Sequence, residues 1–204
     1  MRALSSTVSS PRAAHWVVAI STSAGGIAAL HTILTMLPPS LAAAVLVVQH
    51  LLPHRDSHLV EILSWHTSLE VLQAHSAQRL VQGTVYVAPP DAHLIVGIDR
   101  RLVLSHLPPV HHCRPAGDRL FESLPAAFGR GAVAIVLTGF GRDGAAGAQS
   151  VRRSGGTVIV QDPSTAQFGD MPRAALSAGT VDHILPLVDI APLVVGLVSS
   201  GDPA

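Results

Sequence analysis

Twelve histidines, thirteen acidic residues and one cysteine give this 204-residue chain many groups that could move a proton or attack a carbonyl. Placement narrows them. Trp16-Val-Val-Ala-Ile20 is an apolar, β-branched run that leads straight into Ser21-Thr-Ser-Ala-Gly-Gly26. A run of that kind, a glycine turn and then an alanine- and leucine-rich stretch to Met36 read as a β-turn-α unit. In open α/β folds such a turn lies beyond the carboxyl end of the sheet, where ligands bind. Ser23 sits in the turn. The following helix points its free N–H groups back at it, which favours an oxyanion or a phosphate beside the hydroxyl.

A serine hydroxyl is a weak nucleophile and needs a neighbouring base, usually histidine, oriented by a carboxylate. The partners must emerge at the same sheet edge. His50 follows the apolar run Val45–Gln49, and Asp143 lies in the glycine turn Gly139-Phe-Gly-Arg-Asp-Gly144 that follows Ala132–Thr138. Three independently apolar strands thus each deliver one member of a Ser-His-Asp set, in a chain order different from the Ser, Asp, His order of α/β-hydrolases. Taken singly, each residue has a plainer reading: Ser23 as a helix cap or phosphate-loop serine, Asp143 as the cap of a helix starting at Gly144, His50 as a buried, hydrogen-bonded imidazole. Those readings do not explain the joint placement.

The elements that must position these groups follow from hydrophobic patterning. Short β-branched runs at Trp16–Ile20, Val45–Gln49, Leu69–Gln73, Thr84–Ala88, Ala132–Thr138, Thr157–Gln161 and Val181–Leu185 alternate with helical patterns at Gly26–Met36, Asp56–His66, Pro115–Phe128, Gly144–Ser154, Pro172–Ala178 and Ile190–Val198. The alternation predicts an α/β fold: a doubly wound, mainly parallel sheet with flanking helices. His93–Gly97 and Arg101–Ser105, joined by a polar turn at Asp99-Arg100, predict an antiparallel hairpin at one edge. The expected organisation is a disordered leader over residues 1–14, one domain over 15–199 and a short tail over 200–204.

Composition excludes whole classes of function. A formal net charge of zero lacks the basic excess that nucleic-acid binding demands. All thirteen basic residues are arginine, so a Walker phosphate loop, a pyridoxal Schiff base and a Ser-Lys hydrolase are all closed. No run approaches the roughly 18 apolar residues of a membrane span, the start lacks a signal-peptide core, and the lone Cys113 fits a reducing compartment. The expected location is the cytoplasm, with no membrane insertion.

The same residues carry a resemblance. Ile20-Ser-Thr-Ser-Ala-Gly-Gly26, Val48-Gln-His50, Val85-Tyr-Val-Ala-Pro89, Pro108-Pro-Val110 with Arg114-Pro115, Leu137-Thr-Gly-Phe-Gly-Arg-Asp-Gly-Ala-Ala-Gly147, Gln161-Asp162 and Gly169-Asp-Met-Pro-Arg173 resemble, in order, the blocks of the catalytic domain of the chemotaxis protein-glutamate methylesterase family. The resemblance runs from about Trp16 to Val198. It implies hydrolysis of γ-glutamyl methyl esters on the cytoplasmic helices of bacterial chemoreceptors, with deamidation of receptor glutamines as a second activity. It places the nucleophile on Ser23, the base on His50, the orienting carboxylate on Asp143 and the oxyanion site and pocket at Ala24, Gly25 and Phe140. No cofactor or metal is implied. The family commonly has Gly at Ser21, Thr at Ala24, Met at Phe140 and a His-Arg-Pro-Ser run at Cys113-Arg114-Pro115-Ala116. Family members usually carry an N-terminal phospho-receiver domain; the roughly fifteen residues before the first strand are too few for one, so the expectation is an enzyme that is constitutive or controlled by a regulator in trans.

Other clusters carry less. His54 with His58, and His111-His112-Cys113, lack a second ligand pair at zinc spacing and read as solvated surface. Arg114 and Arg173 are candidates for acidic receptor surface or for ordinary ion pairs, and Asp162-Pro163 reads as turn chemistry. The rival functions are a receptor-docking family member without turnover and a module that holds a phosphorylated ligand at the Gly25-Gly26 turn.

Overall fold

Every residue of β1 (Trp16–Thr22) and β2 (Ala43–Gln49) is buried, as parallel strands covered on both faces require. The structure, a computed structural model, describes residues 12–51, 57–201 and 203. The remaining strands are β3 (Glu70–Gln73), β4 (Thr84–Val87), β5 (His93–Val96), β6 (Leu102–Ser105), β7 (Ala132–Val136), β8 (Thr157–Gln161) and β9 (His183–Leu185). The helices are α1 (Gly26–Met36), α2 (Leu59–Ser64), α3 (Gly117–Phe128), α4 (Ala145–Arg153), α5 (Asp170–Ser177) and α6 (Leu187–Ser199).

Seven strands form one sheet in the order β3-β4-β2-β1-β7-β8-β9, with every neighbouring pair parallel. The chain starts in the middle at β1, winds outward through β2 to β4 and β3, then returns to the far side of β1 with β7 and continues to β9. The winding reverses between β1 and β7. That reversal opens a crevice at the carboxyl ends of the two strands, the place where doubly wound sheets bind ligands. The hairpin β5-β6 is antiparallel and forms a two-stranded sheet of its own, with Leu94 and Leu102 buried in the same cluster as Leu120 and Phe121 of α3.

Strand periodicity divides the core in two. Val18 and Ile20 pack with Leu30 of α1, Leu63 of α2 and Val194 of α6, whereas Val17 and Ala19 pack with Phe121 of α3, Val151 of α4 and Met171 of α5. Each large side chain removed from water in these layers contributes about 1.5–3 kcal/mol, and the layers hold β1, β2 and β7 rigidly beneath their terminal turns.

Element ends differ from the patterning in instructive ways. The chain is already ordered before the expected end of the leader: Ala13 bridges to Val81, and Ala14 is buried and donates its N–H to the Leu80 carbonyl. Residues 1–11 of the leader lie outside the described residues, as do His54 and the expected helix start at Asp56. Helix α2 begins at Leu59, α3 two residues after Pro115, and α5 at Asp170, so that Pro172 occupies its first turn, where a missing N–H goes unnoticed. Strand β7 ends at Val136, because Thr138 N–H bonds to the Gln161 side chain instead of continuing a ladder.

Candidate active site

Backbone bonds bring the three turns together. Ser23 N donates to the Thr138 carbonyl at 3.0 Å and His50 N to the Thr22 carbonyl at 3.0 Å, so the segments following β1, β2 and β7 leave the sheet side by side. The Gln49 side chain donates to the carbonyls of Ser23 and His50, and Thr138 Oγ1 donates to the Ala24 carbonyl. Gly139 has to be glycine for steric reasons: a Cβ there would lie 2.7 Å from Ser23 Cβ and 3.1 Å from Ser23 N. Gly25 is left-handed at φ 76° and forms the N-cap of α1, with no side chain capping the helix. Ser23 is therefore not a cap. Its hydroxyl makes no hydrogen bond to another described residue.

Asp143 is 1% exposed and holds His50 through a 2.7 Å contact between Oδ2 and Nε2. The expectation that Asp143 caps the helix beginning at Gly144 gives way to a different arrangement. Gly144, left-handed at φ 89°, is the N-cap of α4, and the Asp143 carboxylate turns to α3, accepting from Gly117 N at 2.5 Å and Asp118 N at 3.0 Å. Asp118 reciprocates by accepting Gly147 N of α4 at 2.8 Å. The start of α3 is thus capped by a carboxylate from the turn before α4, and the start of α4 by a carboxylate from α3, which puts negative charge at two positive helix ends.

The electrostatics follow. Burial acts to raise the Asp143 pKa, but the His50 imidazole and the two α3 N–H groups overcome it and hold the carboxyl below its usual value. Burial acts to lower the His50 pKa, and the Asp143 and Cys113 contacts override it, pushing His50 up to about 9. Burial raises Asp118. The pair at the base of the site is therefore an imidazolium against a carboxylate near neutral pH, with a dry environment strengthening their attraction.

Several participants were not legible in the sequence. Cys113 was expected at a solvated surface; it is half-buried, with its sulfur 3.5 Å from His50 Nδ1. The turn Val110–Cys113 folds the sulfur inward through paired backbone bonds of 3.1 and 2.8 Å. Its neighbour His111 is also engaged, 3.3 Å from Asp118 and accepting from Arg142. Buried His93 accepts the N–H of Ala116, the N-cap of α3, and burial lowers its pKa. No spacing rule flags these residues, because their contacts join segments far apart in the chain. His58 does lie exposed, paired with Glu61. Arg114 is committed to Asp91 at 2.6 Å and Arg173 contacts Asp170 at 3.5 Å. Asp162 accepts from Ser164 N in a local turn.

Ala24 follows Ser23 and Phe140 follows Gly139, which packs on Ser23, and among the described residues neither backbone N–H donates to a protein acceptor. The Phe140 ring is 58% exposed and rests on Phe168 with centroids 4.5 Å apart. An open depression of about 520 Å³ lies beside the Asp143 turn, lined by His111, His112, Gly141, Arg142 and Asp170. Among the described residues no group of His, Cys, Asp and Glu could hold a metal ion, and no helix is long and apolar enough to cross a membrane.

A free serine hydroxyl, a carboxylate-held imidazole and unpaired backbone donors at the switch point of a doubly wound parallel sheet define the class: an α/β domain with a candidate hydrolytic centre. A family model described as CheB methylesterase matches residues 18–194, and the chain belongs to that family. A protein-glutamate methylesterase/protein-glutamine glutaminase of Geobacillus kaustophilus is 42% identical over 186 residues, which are 89% of this chain and 53% of that protein. A Leptospira interrogans relative named for the same two activities is 36% identical over 180 residues, 88% of this chain and 93% of that protein. The crystal structure of the Thermotoga maritima CheB methylesterase catalytic domain superposes with a TM-score of 0.85 at 31% identity, covering 89% of this chain and 98% of that one. The chain spans about half the length of the Geobacillus protein and nearly all of the Leptospira one.

Proposed function

We propose that this protein is a serine hydrolase that removes methyl esters from glutamate side chains of bacterial chemoreceptors, and that it also deamidates receptor glutamines. The observation that carries the reading is the buried Asp143–His50 pair, delivered with Ser23 by the turns after three parallel strands. A family relative that had lost catalysis would have no need to keep an imidazole held by a buried carboxylate beside a free hydroxyl. The rival phosphate-binding module would use the N–H groups of α1 but gives no role to Asp143.

In this reading Ser23 Oγ attacks the ester carbonyl while His50 accepts its proton. Nε2 is committed to Asp143, so Nδ1 is the nitrogen that serves. The N–H groups of Ala24 and Phe140, with the positive end of α1 behind Gly25, stabilise the oxyanion. The imidazolium returns its proton to the departing methanol. Water, activated by the same nitrogen, then attacks the acyl-enzyme and releases glutamate. Asp143 keeps the ring in one tautomer and stabilises its charged form. An exposed Phe140 and Arg142 at the rim suit a helix that presents methylene groups and carboxylates beside the ester, such as the cytoplasmic helix of a receptor. The working compartment in this reading is the cytoplasm, and a regulator acting in trans remains part of the proposal.

The test measures methanol release from a methylated receptor by wild type and Ser23→Ala. Because the Ser23 hydroxyl makes no hydrogen bond to another described residue, the variant should melt within about 1 °C of wild type while kcat falls by about 10³-fold or more. Equal rates would sink the esterase reading.

A further inference from the structure

Both ring nitrogens of His50 are engaged in the structure. Asp143 holds Nε2 at 2.7 Å, and Cys113 Sγ stands 3.5 Å from Nδ1, the nitrogen that Ser23 needs. The sulfur is fixed there by backbone. Val110 and Cys113 exchange N–H to carbonyl bonds of 3.1 and 2.8 Å, and the adjacent Arg114 is anchored to Asp91 and to the carbonyls of His106 and Leu107. The groups facing His50 are the Asp143 carboxylate on one side and the Cys113 thiol on the other; Asp118, His111 and Arg142 form the next layer, bonded to one another and, through Asp118 N, to Asp143.

We propose that Cys113 is a positioning residue for His50: its sulfur occupies Nδ1 in the resting protein, fixes the plane of the imidazole and holds the base in reserve until substrate engages Ser23. At this nitrogen the chain places a soft, weakly hydrogen-bonding group. A thiol can hold a ring nitrogen in place and still yield it to a hydroxyl, which forms the stronger bond. Cys113 also joins Asp143 in raising the His50 pKa, so removing the sulfur makes the base easier to deprotonate. The effect on turnover rests on the esterase reading; the effect on His50 does not.

The experiment compares wild type, Cys113→Ala and Cys113→Ser in the full chain. The first readout is the NMR titration of the His50 ring protons, assigned by their loss in His50→Gln. The second is the pH profile of kcat/KM for methanol release. In Cys113→Ala the His50 midpoint should fall from about 9 by about one pH unit, the size of one lost hydrogen bond. The acid limb of kcat/KM should move with it, raising the pH 7 rate by up to about tenfold while kcat on the alkaline plateau stays within about twofold. Cys113→Ser, which keeps a hydrogen-bonding group, should restore most of the wild-type midpoint. Alkylating the single cysteine of wild type with iodoacetamide should lower the midpoint as the alanine does. An unchanged His50 midpoint and a superimposable rate profile in Cys113→Ala would overturn the assignment. A shifted midpoint with no methanol release from any variant would uphold the Cys113–His50 pairing and sink the esterase reading instead.

Discussion

Replacing Asp143 by asparagine keeps the size of the side chain and removes its charge, and the structure says what each change does. Oδ2 takes two donors, His50 Nε2 at 2.7 Å and Gly117 N at 2.5 Å, and Oδ1 takes Asp118 N at 3.0 Å. Asparagine has one oxygen to offer. In its better orientation that oxygen faces the two donors, and its NH2 confronts the Asp118 N–H. Two buried donors facing each other cost about 1–3 kcal/mol, and loss of the anion at the start of α3 adds up to about 1 kcal/mol.

A pH-dependent part comes on top. The rise of the His50 pKa from 6.5 to about 9 corresponds to about 3 kcal/mol of preference for the charged form. Because the native pKa lies above the unfolded one, this stability is fully present below pH 6.5 and is lost as pH rises through about 9. Asp143 is shifted the other way, below 3.8, so its contribution is present above that value and is lost as pH falls through the lower native one. Wild type should be most stable from roughly pH 4 to 6.5, and the stability gap to Asp143→Asn should narrow by about 3 kcal/mol between pH 6 and pH 10. Urea denaturation at the two pH values measures it. In methanol-release assays, wild-type kcat/KM should climb about tenfold per pH unit towards pH 9, since only about one His50 in a hundred is neutral at pH 7. In the variant that limb should move to lower pH and end on a plateau about 10²–10⁴-fold lower, because a neutral amide leaves the imidazolium formed during attack without its counter-charge. A pH-independent stability gap, or a limb still centred near 9 in the variant, would refute the argument.

Two further substitutions probe the packing around the site. The Ser21 hydroxyl is fully buried without a hydrogen-bond partner among the described residues, so Ser21→Ala should raise stability by about 1 kcal/mol in thermal melts; a loss of stability would mean the hydroxyl is satisfied in solution. Gly139→Ala would push a methyl group to within 2.7 Å of Ser23 Cβ, and should destabilise by about 1–3 kcal/mol and lower kcat about 100-fold through displacement of Ser23. Wild-type turnover in that variant would show that the turn tolerates movement.

The central strands were readable because their physics is local. Strands buried on both faces are largely apolar, so Trp16–Ile20, Val45–Gln49 and Ala132–Thr138 announced themselves, and with them the turns holding Ser23, His50 and Asp143. The ends were harder. Helix α5 starts at Asp170 and not at Pro172, because a proline in the first helical turn is as compatible with the start as one at the first residue. The hairpin was recognisable from its two runs and polar turn, but its separation from the main sheet depends on burial against α3, which no local pattern records.

The chain by itself determined which groups can react and which edge of the sheet they share, since strand direction, glycine turns and the absence of lysine are written residue by residue. Only the tertiary structure decided their state. That Asp143 caps α3 and not α4, that Asp118 returns the favour, and that the sulfur of Cys113 stands beside Nδ1 of His50 all depend on contacts between segments dozens of residues apart. Protonation and positioning are set by those contacts, because electrostatic energies in a buried site depend on distance and burial, and neither is encoded in spacing along the chain.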